Sequence, residues 1–155
     1  MVPALEWLGP FLFQEKRFGF IGYPYLRPGF CETIGLLGGR VDFGVVTACR
    51  HHLPGKTAAG AAAGDLLIEP KAAELLSFFE ERLAPGRIDC LVTNSTCIEA
   101  AAGRDFAVVE LGFPSYDVHA LYDRPTLGFR GALAFVDTLA NQLRLHLALG
   151  GPRNT

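Results

Sequence analysis

Short apolar runs alternate with segments of helical periodicity along this chain. Strands are predicted where a short apolar run is followed by a turn-forming residue, at residues 17–22, 40–47, 65–69, 88–93 and 106–111. Helices are predicted after the first, third and fourth of these strands, and a long helix is predicted from about residue 127. A strand, a crossover helix and a second strand imply parallel pairing with a right-handed connection.

Two helices carry a stripe of apolar positions that predicts which face packs on the sheet. In the helix after Pro70, the predicted stripe is Ala73, Leu76, Phe79 and Leu83. In the last helix, the predicted stripe is Phe129, Leu133, Val136, Ala140 and Leu143.

These elements predict a single α/β domain over residues 1–155, with a lead-in helix at 1–16, an α/β core at 17–149 and a tail at 150–155. The core is expected to be a Rossmann-like three-layer sandwich with a four- or five-stranded, mostly parallel sheet. Residues 51–64 are rich in Ala and Gly and lack apolar anchors, so they are expected to be the least ordered stretch.

Composition narrows the classes of function. Fourteen basic against 16 acidic residues are interspersed along the chain, which argues against a nucleic-acid surface and against binding to an anionic membrane. No long apolar span or signal-peptide pattern is present, so a cytoplasmic protein is expected. A mean hydropathy of +0.25 with 12 phenylalanines suggests that some apolar surface contacts a partner.

Polar turns follow several of the predicted strands, and parallel strands would bring them to one edge of the sheet. Ligands in such folds bind outside the carboxyl ends of the strands. The turns are Tyr23-Pro24-Tyr25, residues 49–52, Asn94-Ser95-Thr96 and residues 115–119.

The phosphate-binding motifs do not fit these turns. Gly55-Lys56-Thr57 matches the end of a P-loop, but Arg50 occupies the position where the motif requires its first glycine. The first strand ends in Gly22-Tyr23-Pro24-Tyr25 instead of GxGxxG, so a dinucleotide site is not expected.

Four cysteines lie far apart without a CxxC pair, which favours reduced thiols. Cys49, His51 and His52 are metal-ligand types, but no second cluster completes a site, so a plain turn is the alternative. Cys97 lies near a predicted helix N-terminus, where its thiol pKa would fall, and the alternative is a small apolar filler.

The loop after the last strand contains Ser115, Asp117 and His119, the residue types of a nucleophilic triad. Two-residue spacing within one loop does not give the converging geometry that a triad needs, so a hydrolase is not predicted.

Residues 111–132 resemble the C-terminal signature of nitrogenase component 1 proteins. Upstream, the RFGFIGYP strand and turn and the IDCLVTNS strand also resemble the family, and together the similarity covers about residues 17–143. The matching positions of the signature are Gly112, Phe113, Pro114, Asp117, His119, Leu121, Thr126, Gly128, Phe129, Gly131 and Ala132, with Asn141 in the following helix.

The resemblance is closest to the β-type or assembly-scaffold type of subunit. The spacing from His119 to Gly128 is one residue shorter than in α-type subunits, whose matching His binds the cofactor, and in β-type subunits that His is not a metal ligand. His119 therefore stays open between a ligand and a residue that organises the loop. Ala120 stands where the family has a second His, and Tyr23 stands where Asp is usual.

The resemblance implies a part of an oxidoreductase subunit, or of the scaffold for iron-molybdenum cofactor biosynthesis, that acts with other nitrogenase-like chains or as a homo-oligomer. Such proteins have three α/β domains, with the cluster cysteines mainly in the first, so this chain is expected to be either an excised last domain or a stand-alone protein. No firmly bound cofactor is expected for this domain alone, whereas an iron-sulfur or iron-molybdenum cluster would belong to the full assembly.

No catalytic residue and no metal ligand are assigned from the sequence. The candidate cofactor-binding residues are Asn94, Ser95, Ser115, Asp117 and His119. The alternatives are a stand-alone module that binds a metallocluster or a tetrapyrrole, and a structural subunit-contact domain without catalysis.

Overall fold

The computed structural model describes residues 9–47, 66–101, 103–112 and 128–149. A π-helical turn at Gly9–Phe13 precedes the first strand. The strands are β1 (Arg17–Gly22), β2 (Arg40–Val46), β3 (Leu66–Ile68), β4 (Cys90–Thr93) and β5 (Ala107–Glu110). The helices are α1 (Arg27–Leu36), α2 (Ala72–Arg82), α3 (Ser95–Ala101) and α4 (Gly128–Leu149).

The five strands form one sheet in the order β3-β2-β1-β4-β5, and every neighbouring pair is parallel. The predicted α/β class is therefore confirmed, with the described sheet parallel throughout. From β1 the chain moves outward through β2 to β3 and then returns to the other side of β1. The gap between the carboxyl ends of β1 and β4 is the topological switch point, which is where folds of this type bind ligands.

Helices cover both faces of the sheet, as predicted. On one face, α1, α4 and the π-helical turn enclose a core that includes Phe18, Phe20 and Val92. On the other face, α2 and α3 enclose a second core that includes Phe43 and Leu91. Because the sheet is buried from both sides, its strands read as nearly continuous apolar runs in the sequence.

β1 and β2 change register in the middle of the sheet. Phe18 pairs with Val41 and Gly19 with Phe43, so Asp42 is an extra residue in β2. The ring of Phe43 then lies over Gly19, where an added Cβ would come within 2.3 Å of the ring. The glycine is needed at this point because the ring occupies the space of a side chain.

The predicted apolar face of α2 is partly wrong. Phe79 and Leu83 are buried as predicted, but Ala73 is exposed and Leu76 is 64% exposed. Leu75 and Phe78 pack on the core instead. The helix contains two adjacent apolar pairs, residues 75–76 and 78–79, so two different stripes fit its sequence and packing selects one of them.

The predicted stripe of α4 is correct from its second turn onward. Val136, Ala140 and Leu143 are buried and Leu139 joins them, and Leu133 is half-buried. Phe129 is 71% exposed, and its neighbours Gly128 and Arg130 at the start of the helix are also exposed. Gly128 has a φ of +68°, and nothing lies within 4 Å of a Cβ added there, so its role is conformational.

Of the predicted lead-in at 1–16, the structure describes residues 9–16. The π-helical turn ends at Phe13, which is buried together with Leu12. Residues 1–8, the Ala- and Gly-rich stretch at 51–64 and the tail at 150–155 lie outside the described residues. Within the described residues, no helix combines the length and the apolar character needed to cross a bilayer.

Candidate functional site

The candidate site lies at the switch point, where β1 and β4 end side by side. Ile21 pairs with Thr93 in the last register position, and the Asn94 N–H donates to the Ile21 carbonyl at 3.2 Å. On the other side of β4, the Leu111 N–H donates to the Thr93 carbonyl at 2.8 Å. The ladder therefore holds Asn94 in place one residue beyond the end of β4.

Three consecutive polar residues are buried here: Thr93, Asn94 and Ser95 are 0%, 3% and 2% exposed. Burying a polar group costs free energy unless the group is hydrogen-bonded. The Asn94 main-chain carbonyl accepts from the Thr93 hydroxyl at 3.1 Å and from the Cys97 N–H at 3.3 Å. The side-chain oxygen of Asn94, Oδ1, has no hydrogen-bond partner among the described residues.

The pleat of β4 indicates which face of the sheet Asn94 belongs to. Cys90 and Val92 are in the core on the α1 and α4 side, and Leu91 is in the opposite core. Asn94 is two residues after Val92 and still hydrogen-bonded in the ladder, so the alternation assigns it to the α1 and α4 side. Continuing the register pairs it with Gly22, which has no side chain.

The start of α1 and the end of β5 meet at the same place. The Leu26 N–H donates to the Tyr23 carbonyl at 3.2 Å, which forms the turn between β1 and α1. Gly112 turns the chain out of β5 with a φ of +101°, and an added Cβ there would lie 3.0 Å from the Leu26 side chain. Tyr23 and Tyr25 are exposed at this edge.

Arg27 is a buried cation that was not predicted from the sequence. It is 5% exposed at the first position of α1 and packs on β2. Its Nε lies 2.8 Å from where a Cβ on Gly44 would be, so the glycine provides the room for the guanidinium. The only signal in the sequence is a glycine within the apolar run of β2.

The described cysteines have raised thiol pKa values. Burial raises the pKa of Cys97, and a side-chain hydrogen bond with Thr93 partly opposes that shift. Burial also raises the pKa of Cys31 and of Cys90. The suggestion that a helix N-terminus lowers the Cys97 pKa is therefore wrong, because burial is the larger effect, and the apolar-filler interpretation is supported.

The described residues do not fit the ligation of a metallocluster. No group of three or more His, Cys, Asp or Glu side chains among residues 9–47, 66–101, 103–112 and 128–149 is arranged to hold a metal. Cys31 and Cys97 pack against opposite faces of the sheet. The groups gathered at the switch point are hydroxyls and an amide, which suit hydrogen bonding better than binding of iron.

Of the candidate residues predicted from the sequence, Asn94 and Ser95 lie together at the switch point. Ser115, Asp117 and His119 lie outside the described residues, as do the Cys49, His51 and His52 group and the Gly55-Lys56-Thr57 turn. Their roles stay predictions.

The comparison with known families agrees with this topology. A family model described as nitrogenase component 1 type oxidoreductase matches residues 9–144. The chain belongs to the nitrogenase component 1 type oxidoreductase family. The resemblance noted for residues 111–132 is thus confirmed at the level of the family.

Two solved structures share the fold of this family member. "Nitrogenase Cp1 at pH 6.5" superposes with a TM-score of 0.70 at 20% sequence identity, covering 93% of this chain and 32% of that one. "Nitrogenase Cp1 at pH 5" gives a TM-score of 0.64 at 14% identity, covering 97% of this chain and 34% of that one. The chain therefore spans about a third of the length of each structure.

Proposed function

We propose that this chain works as one α/β domain of a nitrogenase component 1-like oxidoreductase, or of the scaffold on which its iron-molybdenum cofactor is assembled. Partner chains complete the site. The observation that carries this proposal is the buried run Thr93–Asn94–Ser95 at the switch point of a sheet from this family. It offers hydrogen bonds at the usual ligand position of the fold.

The hydroxyl and amide groups at the switch point indicate what this domain contributes to the complete site. Hydroxyl and amide groups orient a ligand and stabilise charge on it, whereas thiolate or imidazole ligands for iron would come from the partner chains or from His119. The Cys97 side chain packs in the core on the α2 and α3 side, so it is not assigned as a ligand in this proposal.

The test is anaerobic purification of the chain alone and after co-expression with a component 1-type partner subunit, followed by iron analysis and visible spectroscopy. We expect a stable complex that contains iron and absorbs in the visible range, and a colourless chain when it is purified alone. His119→Ala should lower the iron content if His119 contacts the cluster. Cys97→Ala is the matched control and should leave the iron content unchanged.

Two results would contradict the proposal. One is the absence of any complex with the partner subunit. The other is a cluster held by the chain alone and lost in Cys97→Ala, which would favour the stand-alone metallocluster module.

A second candidate function is a subunit-contact domain without a ligand. It is favoured by the apolar side chains exposed on the last two turns of α4, Leu145, Leu147 and Leu149, the last of which is 79% exposed. Sedimentation of the chain alone tests it. A colourless dimer that dissociates in Leu145→Lys would support this function, and a monomer at all concentrations would argue against it.

A further inference from the structure

The core-facing stripe of α4 continues past the point where the helix is buried. Ala140 and Leu143 are buried, and none of residues 144–149 is. Leu147 follows Leu143 by four residues, so it lies on the same face of the helix one turn later. Its side chain is 55% exposed. The last turn of the stripe is therefore only partly covered by the described fold.

The π-helical turn at Gly9–Phe13 contacts α4 on the same side of the sheet. Phe135, early in α4, contacts Phe30 at the start of α1 with 6.0 Å between the ring centroids. The helix therefore begins near the carboxyl edge of the sheet and runs towards the amino edge, where the π-helical turn leads into β1. Phe11 of that turn is 77% exposed. Exposed apolar side chains are thus present on both of the elements that meet at this edge.

The segment that precedes the π-helical turn has the composition and the reach to cover these side chains. Its largest apolar residues are Leu5, Trp7 and Leu8. Residues 1–8 join the turn directly at Gly9, and a segment of this length spans at most about 27 Å when extended, against roughly 5.4 Å for one helical turn. Its single charged side chain, Glu6, is complementary to Arg144, which is exposed beside the stripe of α4.

A second copy of the chain fits the same side chains less well. A stable dimer buries about 800 Å² on each partner, which is far more than Phe11 and Leu147 provide. A segment of the same chain needs less contact area, because its tether to the π-helical turn keeps its effective concentration high.

We propose that residues 4–8 pack on the last turns of α4, with Trp7 against Leu147 and Phe11, so that the chain covers this end of its own last helix. The proposal concerns the amino edge and holds whether or not the carboxyl edge receives a ligand. Leu145 and Leu149 lie on the other side of α4 and stay available to the subunit contact considered above.

Trp7 is the only tryptophan of the chain, so tryptophan fluorescence reports on this segment alone. We expect the emission of the 155-residue chain to be shifted to the blue of N-acetyltryptophanamide, with weaker quenching by iodide. Leu147→Gln should shift the emission to the red and strengthen the quenching, because it replaces the apolar contact with a polar group.

Leu145→Gln is the matched control. It makes the same substitution at a residue that is 50% exposed on the other side of the same helix, so emission and quenching should stay as in the wild type. Equal effects of the two variants, no effect of Leu147→Gln, or a wild-type emission like that of the free amide would overturn the proposal. A blue-shifted emission that moves to the red on dilution would also overturn it, because a second copy would then cover Trp7.

Nuclear Overhauser spectroscopy of the wild-type chain gives a test that needs no variant. We expect a cross-peak between the indole N–H of Trp7 and the methyl groups of Leu147. Its absence would contradict the proposal even if Leu147→Gln failed to fold.

Discussion

The ring of Phe43 packs against Gly19 in the space that a side chain at position 19 would occupy. An added Cβ at Gly19 would come within 2.3 Å of the Phe43 ring, and that ring is buried against Phe78, with 5.3 Å between the centroids. We expect Gly19→Ala to lower the free energy of unfolding by about 1–3 kcal/mol through overpacking.

Urea denaturation of the Gly19 variant measures this loss. The control is Gly29→Ala at an open position of α1, which should raise the stability by up to about 1 kcal/mol. A Gly19→Ala variant as stable as the wild type would show that the ring moves away at little cost.

Cys90 gives the stability a dependence on pH. Burial raises the pKa of this thiol in the folded chain above its ordinary value of 9.0. Above pH 9.0 the Cys90 thiol loses its proton in the unfolded chain and keeps it in the folded chain. The folded state then binds more protons, so the free energy of unfolding falls as pH rises. The slope from this group approaches about 1.4 kcal/mol per pH unit.

Urea denaturation between pH 8 and pH 10.5 tests this expectation. In Cys90→Ala the chain should be less stable at pH 8 because a cavity forms, but its loss of stability with rising pH should be smaller than in the wild type. The same slope in both proteins would assign the pH dependence to other groups.

At the residue scale, the sequence predicted where the candidate residues lie in the fold better than it predicted the burial and hydrogen bonding of their side chains. The rule that ligands bind beyond the carboxyl ends of parallel strands placed Asn94 and Ser95 at the edge where the structure has them. It did not predict that Oδ1 of Asn94 would lack a hydrogen-bond partner within residues 9–47, 66–101, 103–112 and 128–149, because hydrogen-bond partners come from neighbouring strands. The burial of Arg27, which lies in α1, depends likewise on Gly44 in β2.

At the scale of elements, two apolar stripes fit the sequence of α2, and only one of them is buried. Leu83 is 1% exposed and Leu76 is 64% exposed, so the same substitution should have different effects at the two positions. Leu83→Ala should lower the free energy of unfolding by about 2–5 kcal/mol, and Leu76→Ala should change it by less than about 0.5 kcal/mol.

Equilibrium unfolding of the two α2 variants provides the comparison. If both variants lost the same free energy of unfolding, Leu76 would be buried as the sequence predicted. The bounds of the strands were easier to predict than the faces of the helices, since a strand buried on both sides is apolar at nearly every position. In a helix with adjacent apolar pairs, tertiary packing decides the face.

At the scale of the whole molecule, the two edges of the sheet differ in character. At the amino edge, the Asp89 carboxylate accepts from Lys16 Nζ at 2.9 Å and from the Arg17 N–H at 2.8 Å. The Arg17 side chain also donates to the Gly86 carbonyl. These bonds connect the described elements to one another, which is the pattern of a structural edge.

The carboxyl edge has the buried polar run at 93–95, the glycine at 22 and the Asn94 side-chain carbonyl, which has no hydrogen-bond partner in the part of the chain that the structure describes. In our account the carboxyl edge is the functional face, because ligands bind at this edge of parallel sheets. The topology was predictable because each crossover fixes parallel pairing. The order of the strands was not, since it depends on which side of β1 the chain returns to after α2.

Hydrogen exchange of the chain before and after assembly with a component 1-type partner subunit tests this account most directly. We predict slower exchange at residues 22–27 and 93–97, with no change at residues 14–17 and 86–89. Slower exchange confined to residues 14–17 and 86–89 would contradict the account, because the amino edge would then be the face that the partner covers.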